Sequence, residues 1–142
     1  MEKFVLFISD NFLAVLLLIS LIVLLIFYER KKGGLKIDAS ELTRLINKEE
    51  PYVFDLRSSS EFDSGTIAGA VNVQPSNLVK GNSQFKAKEE DSIVLICKTG
   101  SNSSTVAGTL KKEGYANVSV LSGGIMGWIQ GGMPLVKKQS KS

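Results

Sequence analysis

Residues 93–104 read IVLICKTGSNSS and join an apolar strand, a reactive side chain and a helix start. Cys97, the single cysteine of the chain, ends the apolar run, and an amphipathic helical pattern follows the segment. The loop between them contains Gly100 and small hydroxyl residues, so several backbone N–H groups point at one spot in front of a helix N-terminus. A thiol placed there ionises more easily than a free thiol, which favours a nucleophilic Cys97. A buried cysteine that packs as a small hydrophobic residue is the alternative.

The rest of the chain alternates short apolar segments with amphipathic ones. We predict strands at 35–37, 52–55, 70–73, 93–97 and 118–121. We predict helices after a cap at Asp38 or Ser40, at 58–64, at 103–113 and at 125–130, and a loop with a helical turn or two at 74–91. This alternation predicts an α/β domain with a mainly parallel sheet covered by helices on both faces.

Polar residues follow two of the predicted strands. Asp55 and Arg57 come after one strand, and Cys97 comes after another. Because ligands bind beyond the carboxyl ends of parallel strands, these residues are expected at one functional edge of the sheet.

Four motifs stand in a characteristic order. They are Asp55-Leu56-Arg57, the segment EFDSGTIAGAVN at 61–72, CKTG at 97–100 and GGIMGW at 123–128. Their order and spacing resemble the rhodanese (sulfurtransferase) domain, which has an Asp-x-Arg strand end, a Phe-x-x-Gly-His-Ile-x-Gly-Ala-x-Asn segment, a Cys-x-x-Gly loop and a Gly-Gly-x-x-x-Trp segment. The resemblance runs from about Leu35 to Val136 and implies a three-layer rhodanese-like fold.

Two positions depart from the family pattern. Thr66 stands where the family has His, and Asn102 stands where many members have Arg, five residues after Cys97. The chain has no histidine, so activation of the thiol by imidazole, as in cysteine proteases, is excluded. Activation of Cys97 must come from backbone amides, the helix terminus and nearby cations.

The resemblance implies that Cys97 takes sulfur from a donor as a persulfide and passes it to a thiol or cyanide-type acceptor. The loop implied to bind the anionic donor or the sulfur comprises Lys98, Thr99, Gly100, Ser101, Asn102 and Ser103. Lys98 is a candidate cation for thiosulfate or a solvated lysine, and we expect Ser103 to cap the following helix. Asp55 and Arg57 are expected to support neighbouring loops, with Glu61 as the partner of Arg57. No metal or organic cofactor is needed.

The N-terminal part is strongly apolar. Residues 12–28 are apolar except for Ser20 and would span roughly 25 Å as a helix, while 4–28 would span about 37 Å, against a hydrocarbon core of ~30 Å. We predict one transmembrane helix at 4–28. A cleaved signal peptide would need a small-residue cleavage site after the run, where YERKK at 28–32 stands instead. A soluble core helix would have a polar face.

This organisation gives a tail at 1–3, the membrane helix at 4–28, a basic and Gly-containing linker at 29–34, the rhodanese domain at 35–136 and a basic tail at 137–142. Arg30, Lys31, Lys32 and Lys36 follow the membrane helix, and only Lys3 precedes it. The excess of cations predicts a single-pass protein of the inner or plasma membrane, with its N-terminus outside and its domain in the cytoplasm. A lone cysteine fits that reducing compartment.

Other function classes are disfavoured by what the chain lacks. Related phosphatases need Cys-x5-Arg, but Ser103 occupies the sixth position after Cys97 and no arginine follows Arg57. One cysteine without histidine cannot form a zinc site, and the net charge of +3 lacks the dense basic stripe of nucleic-acid binders. The main alternative to a sulfurtransferase is a non-catalytic docking or regulatory module at the membrane, with 74–91 as its candidate surface for contact with a membrane protein. The physiological donor and acceptor, the oligomeric state and any helix partner in the membrane are open.

Overall fold

The computed structural model describes residues 1–137, except for the side chains at 29–32. The predicted basic tail at 137–142 therefore lies outside the described residues from position 138 onward, and so do the side chains of the predicted basic linker at 29–32. The chain divides into two compact units, Met1–Lys31 and Lys32–Ser142.

The N-terminal unit consists of two helices instead of the single helix predicted at 4–28. Helix α1 covers Glu2–Asp10, helix α2 begins at Phe12 and runs to Lys32, and their axes differ by 83°. The break lies at Asn11, whose backbone N–H and side-chain amide both donate to the carbonyl of Phe7, at 3.1 and 3.0 Å. Asn11 is the C-cap residue of α1, and its non-helical backbone angles, φ −120° and ψ 28°, end the first helix.

Neither α1 nor α2 alone has the length and composition of a membrane-spanning helix. No single helix among the described residues is long and apolar enough to cross a membrane. Taken together, Glu2–Asp10 and Phe12–Tyr28 reach the necessary length and composition, as a bent pair.

The second unit alternates strands and helices as predicted. Its elements are β1 (Leu35–Ile37), α3 (Ala39–Glu49), β2 (Tyr52–Asp55), α4 (Ser59–Ser64), β3 (Val71–Asn72), a 3-10 turn (Pro75–Asn77), β4 (Ile93–Ile96), α5 (Ser101–Lys112), β5 (Val118–Leu121) and α6 (Gly124–Gln130). The prediction was right for every element, with β3 shorter than expected and α5 beginning two residues earlier.

The five strands form one parallel sheet in the order β1-β5-β4-β2-β3. Strand β4 lies at its centre, and all four of its residues are buried. One face packs against Ala107 and Leu110 of α5, and the other packs against Leu42 of α3 and Trp128 of α6. The alternating side chains of β4 enter both cores, which explains its continuous apolar sequence and confirms the prediction of a sheet covered on both sides.

Side-chain caps set where two of the helices begin. Asp38 accepts a 2.8 Å hydrogen bond from the N–H of Glu41 at the start of α3, and Ser58 accepts one from the N–H of Glu61 at the start of α4. Helix α5 has a different start, because Gly100 is its N-cap with φ +100° and makes no side-chain bond. The prediction that Ser103 caps this helix was therefore wrong: Ser103 lies inside the first turn.

Candidate functional site

Cys97 lies at the carboxyl end of the central strand, directly before the turn into α5. The neighbouring strand β2 holds this end in register, because Asp55 pairs with Ile96 and the N–H of Leu56 donates to the carbonyl of Ile96 at 2.8 Å. The Cys97 side chain belongs to the apolar cluster under α5, and the residue is only 4% exposed. The structure thus places the thiol at a rigid strand end.

Backbone amides of the turn face the Cys97 sulfur. The N–H of Gly100 donates to Sγ at 2.9 Å. Burial is the largest single influence on the pKa of Cys97 and raises it, but the Ser103 hydroxyl and the N–H groups of Ser103, Gly100 and Thr99 together outweigh burial. The net result is a lowered pKa, because the groups around the sulfur stabilise the thiolate more than burial disfavours it. We call Cys97 and the amides of Thr99, Gly100 and Ser103 the sulfur cradle.

Ser103 is the polar residue most deeply buried in this loop. Its exposed fraction is 0%, and its Oγ makes no completed hydrogen bond to any described residue. The Ser103 hydroxyl is one of the groups that lower the pKa of Cys97. Ser103 thus contributes a buried hydroxyl to the first turn after Cys97.

The other loop side chains lie on the outer side of the turn. Lys98, Thr99, Ser101 and Asn102 are exposed, and the hydroxyls of Thr99 and Ser101 are 3.4 Å apart. Among the side chains that the structure describes, no carboxylate lies at ion-pair distance from the Lys98 ammonium. The structure therefore brings together the cradle amides, Ser103 and Cys97, while the other polar side chains remain open to solvent.

A cavity of about 240 Å³ borders the loop at the same edge of the sheet. Its lining residues are Lys36, Thr99, Gly100, Ser101, Ser104, Val120, Leu121, Ser122 and Gly123. The lining contains several hydroxyl groups, one lysine and no acidic residue, so it suits a small anionic or polar molecule. Within the described residues, no group of three or more Cys, Asp or Glu side chains is placed to hold a metal ion.

Helix α6 fixes the backbone of the cradle through hydrogen bonds. The sequence motifs did not predict this role. The N–H of Ile125 donates to the carbonyl of Cys97 at 2.9 Å, and the N–H of Met126 donates to the carbonyl of Lys98 at 3.1 Å. Gly124 permits this approach, since a β-carbon there would lie 2.6 Å from the Lys98 oxygen. The Gly-Gly pair at 123–124 was the available signal in the sequence, because adjacent glycines often mark close backbone contacts.

Asp55 and Arg57 form a buried ion pair next to the site, not a contact with the sulfur. Arg57 Nη2 lies 2.8 Å from Asp55 Oδ2 and donates to the carbonyl of Gly65 at 2.6 Å. The expected partner Glu61 instead accepts from the hydroxyl of Ser58 at 3.2 Å. The pairing of Arg57 with Glu61 was therefore a wrong prediction: Asp55 is two residues away on an extended segment and fully buried, so it needs the cation more.

Thr66, at the position of the family's histidine, completes this ion-pair network. Its Oγ1 donates to Asp55 Oδ2 at 2.8 Å, and the residue is buried. Asn72 adds two bonds from its side-chain amide, to the carbonyls of Asp55 and Arg57 at 3.0 and 2.9 Å. These bonds tie the loops after β2 and before β3 to the edge of the sheet where Cys97 lies.

Comparison with known proteins agrees with the order of these elements. The model of the Rhodanese-like domain family matches residues 38–130. The chain belongs to the rhodanese family. The match covers α3 to α6, including the cradle, Gly124 and the Asp55–Arg57 network of this rhodanese domain.

Individual relatives extend this result. The uncharacterized protein YibN of Escherichia coli K12 is 38% identical over 102 residues, which is 71% of this chain and 71% of that protein. A sulfurtransferase of Allochromatium vinosum is 31% identical over 71% of this chain and 94% of its own length. The crystal structure of a rhodanese-related protein from Thermoplasma volcanium, 27% identical, covers 72% of this chain and 97% of that one with a TM-score of 0.61. Each of these relatives is thus similar to about seven tenths of this chain.

Proposed function

We propose that this rhodanese is a membrane-anchored sulfurtransferase that carries sulfane sulfur as a persulfide on Cys97. The observation that carries this proposal is the sulfur cradle: a buried thiol at a strand end, with the Gly100 N–H 2.9 Å from Sγ and a lowered pKa. Such preorganised dipoles stabilise negative charge on sulfur both in the thiolate and in the persulfide. The sulfurtransferase of Allochromatium vinosum supports the same activity by similarity.

The first half-reaction loads the cysteine. The Cys97 thiolate attacks the outer sulfur of thiosulfate, the bond between the two thiosulfate sulfurs breaks, and sulfite leaves with the electron pair. The product is a persulfide on Cys97. The exposed Lys98 is placed to attract the dianionic donor, and the loop presents no acidic side chain that would repel it.

The second half-reaction removes the outer sulfur from the Cys97 persulfide. A thiol acceptor, or cyanide, attacks the outer sulfur of the persulfide, and the electron pair of the sulfur–sulfur bond returns to Sγ. The Cys97 thiolate is thereby restored without any metal or redox cofactor. A protein persulfide could replace thiosulfate as donor, since the chemistry at the outer sulfur is the same.

The test is the intact mass of the full-length protein after incubation with thiosulfate, beside the Cys97→Ser variant. We expect the wild type to gain the mass of one sulfur atom and to lose it again with cyanide, and the variant to gain nothing. A folded wild type that still alkylates at Cys97 but takes no sulfur from thiosulfate or a persulfide donor would overturn the enzymatic proposal. A docking module would then be the function to test, by crosslinking in membranes.

The N-terminal helices support the membrane part of the proposal. Along α2, the exposed large apolar side chains have exposed fractions from 44% at Val23 to 71% at Leu13, and they lie on every side of the helix. An apolar surface of this extent is costly in water and favourable in lipid. We place α1 and α2 together, as the bent pair, across the cell membrane, with the basic end of α2 in the cytoplasm and the N-terminus outside.

The membrane proposal has its own experiment. Replacing Leu17 and Leu21 of the bent pair together by arginine should cost about 2.5–3.5 kcal/mol per residue in the hydrocarbon core, so the chain should appear in the alkali-extracted fraction of cell membranes. The matched control replaces the same two residues by alanine and should stay with the membrane. Equal extraction of both variants would contradict the proposed span.

A further inference from the structure

The Ser103 hydroxyl is a buried polar group without a hydrogen-bond partner among the described parts of the chain. Most buried hydroxyls in proteins are paired, and leaving one unpaired opposes folding. The hydroxyl could have bonded a carbonyl of the preceding turn, as Ser104 does with the carbonyl of Gly100 at 3.0 Å. The Ser103 hydroxyl makes no such bond, so it can donate to another acceptor.

The acceptor of functional interest at this turn is the Cys97 sulfur. Ser103 is fully buried in the first turn of α5, whereas Lys98, Thr99 and Ser101 are exposed. A donor molecule reaches the loop from the solvent side. The outer sulfur of a persulfide must therefore extend toward the exposed residues, and Ser103 addresses the inner atom, Sγ.

We propose that the Ser103 hydroxyl is a hydrogen-bond donor to Sγ of Cys97 that acts mainly when sulfur is released, where Sγ is the leaving group. This inference rests on the proposed sulfurtransferase function. Ser103 then acts in the release of sulfur, whereas the amides of Thr99 and Gly100 act in both loading and release.

The two half-reactions make opposite demands on Sγ. During release, the acceptor thiolate forms a bond to the outer sulfur, the bond from the outer sulfur to Sγ breaks, and the electron pair moves onto Sγ. A donor hydrogen bond to Sγ accelerates this step, because a thiol of lower pKa is a better leaving group. During loading, the same bond makes the thiolate a weaker nucleophile, although it increases the thiolate fraction at neutral pH.

The experiment measures both half-reactions in full-length Ser103→Ala. Loading is followed by intact mass with thiosulfate, and release by loss of the persulfide to cyanide, both above the pKa of free cysteine, about 8.5. We expect release to slow roughly tenfold, while loading stays equal or becomes up to about threefold faster. At neutral pH, alkylation of Cys97 should slow roughly tenfold, because less thiolate is present.

Two further variants make the result specific. Thr109→Ala removes an exposed hydroxyl from the same helix and should match the wild type in every rate. Ser103→Thr keeps the hydroxyl and should restore release. Because alanine removes an unpaired buried hydroxyl, we also expect Ser103→Ala to have an unchanged or higher melting temperature.

A purely structural Ser103 would give a different pattern. If Ser103→Ala slows loading and release equally above the pKa of free cysteine, or leaves the pH profile of alkylation unchanged, the assignment is overturned. If the wild type takes up no sulfur, the proposed function fails by itself. The pH profile of alkylation then still decides whether Ser103 bonds the Cys97 sulfur.

Discussion

Gly124 lies against the peptide group that follows Cys97, so closely that a β-carbon on residue 124 would overlap the Cys97 carbonyl oxygen. The contact puts the N-terminus of α6 directly under the cradle, where the N–H groups of Ile125 and Met126 bond the carbonyls of Cys97 and Lys98. The geometry of the thiol thus depends on a helix that begins 27 residues later in the chain.

Gly124→Ala should therefore displace the cradle. We expect a loss of about 1–3 kcal/mol in the free energy of unfolding from the overlap, and about a hundredfold slower sulfur uptake from the misplaced thiol. Urea unfolding and intact mass with thiosulfate measure the two effects. Gly69→Ala is the control, because Gly69 also has a positive φ, +84°, but nothing within 4 Å of its β-carbon position. Sulfur uptake at the wild-type rate in Gly124→Ala would contradict this role.

The lowered pKa of Cys97 predicts a pH profile. Because the folded state favours the thiolate, alkylation by iodoacetamide should persist to a lower pH than in the same protein unfolded in urea. The contribution to stability is present above the pKa of the unfolded thiol and is lost as the pH falls through the folded pKa. Initial alkylation rates across the pH range are the measurement. Coincident profiles for the folded and unfolded protein would show that the cradle does not act on the sulfur.

Arg57→Leu should be strongly destabilising. Asp55 is 0% exposed, and without Arg57 its carboxylate would be buried beside neutral donors only, at a cost of about 3–5 kcal/mol in the free energy of unfolding. Urea denaturation measures the loss. Arg44→Leu, which breaks an exposed pair with Glu41, should change stability little. Equal effects of the two substitutions would refute a special role for the buried pair.

Thr66 should contribute through its hydroxyl alone. Thr66→Val keeps the shape but removes the 2.8 Å bond to Asp55, so we expect a loss of about 1–3 kcal/mol in stability. Thr66→Ser retains the donor and should lose clearly less. Thermal or urea unfolding of the pair distinguishes them. A serine variant as unstable as the valine variant would mean that packing, not the hydrogen bond, matters at this position.

Lys98→Gln tests whether the exposed ammonium attracts thiosulfate. We expect a severalfold higher KM for thiosulfate at low salt and a difference that shrinks as salt is added, since an exposed charge is screened. Steady-state kinetics with cyanide as acceptor measure this, and Lys112→Gln at the far end of α5 is the control. A KM that does not change at low salt would leave Lys98 as a solvated loop residue.

Most of the fold could be predicted from local patterns in the sequence. The apolar runs at 52–55 and 93–96, the amphipathic helices and the caps at Asp38 and Ser58 each depend on neighbours in the chain, so their type and order could be predicted. The same holds for Cys97 and Gly100, since a strand end followed by a glycine turn and a helix is a local arrangement. The prediction of a single apolar helix at 4–28 was wrong because the backbone leaves the helical conformation at Asn11.

By itself, then, the sequence determined the parallel α/β order, the rhodanese resemblance and the thiol that carries the proposed chemistry. Only the tertiary structure decided that Arg57 pairs with Asp55 and not Glu61, that Ser103 is buried beside the sulfur without a completed bond, and that α6 holds the carbonyl of Cys97. The physical reason is that these contacts depend on which of several polar groups lose water when separate segments pack together. Spacing along the chain does not specify that choice.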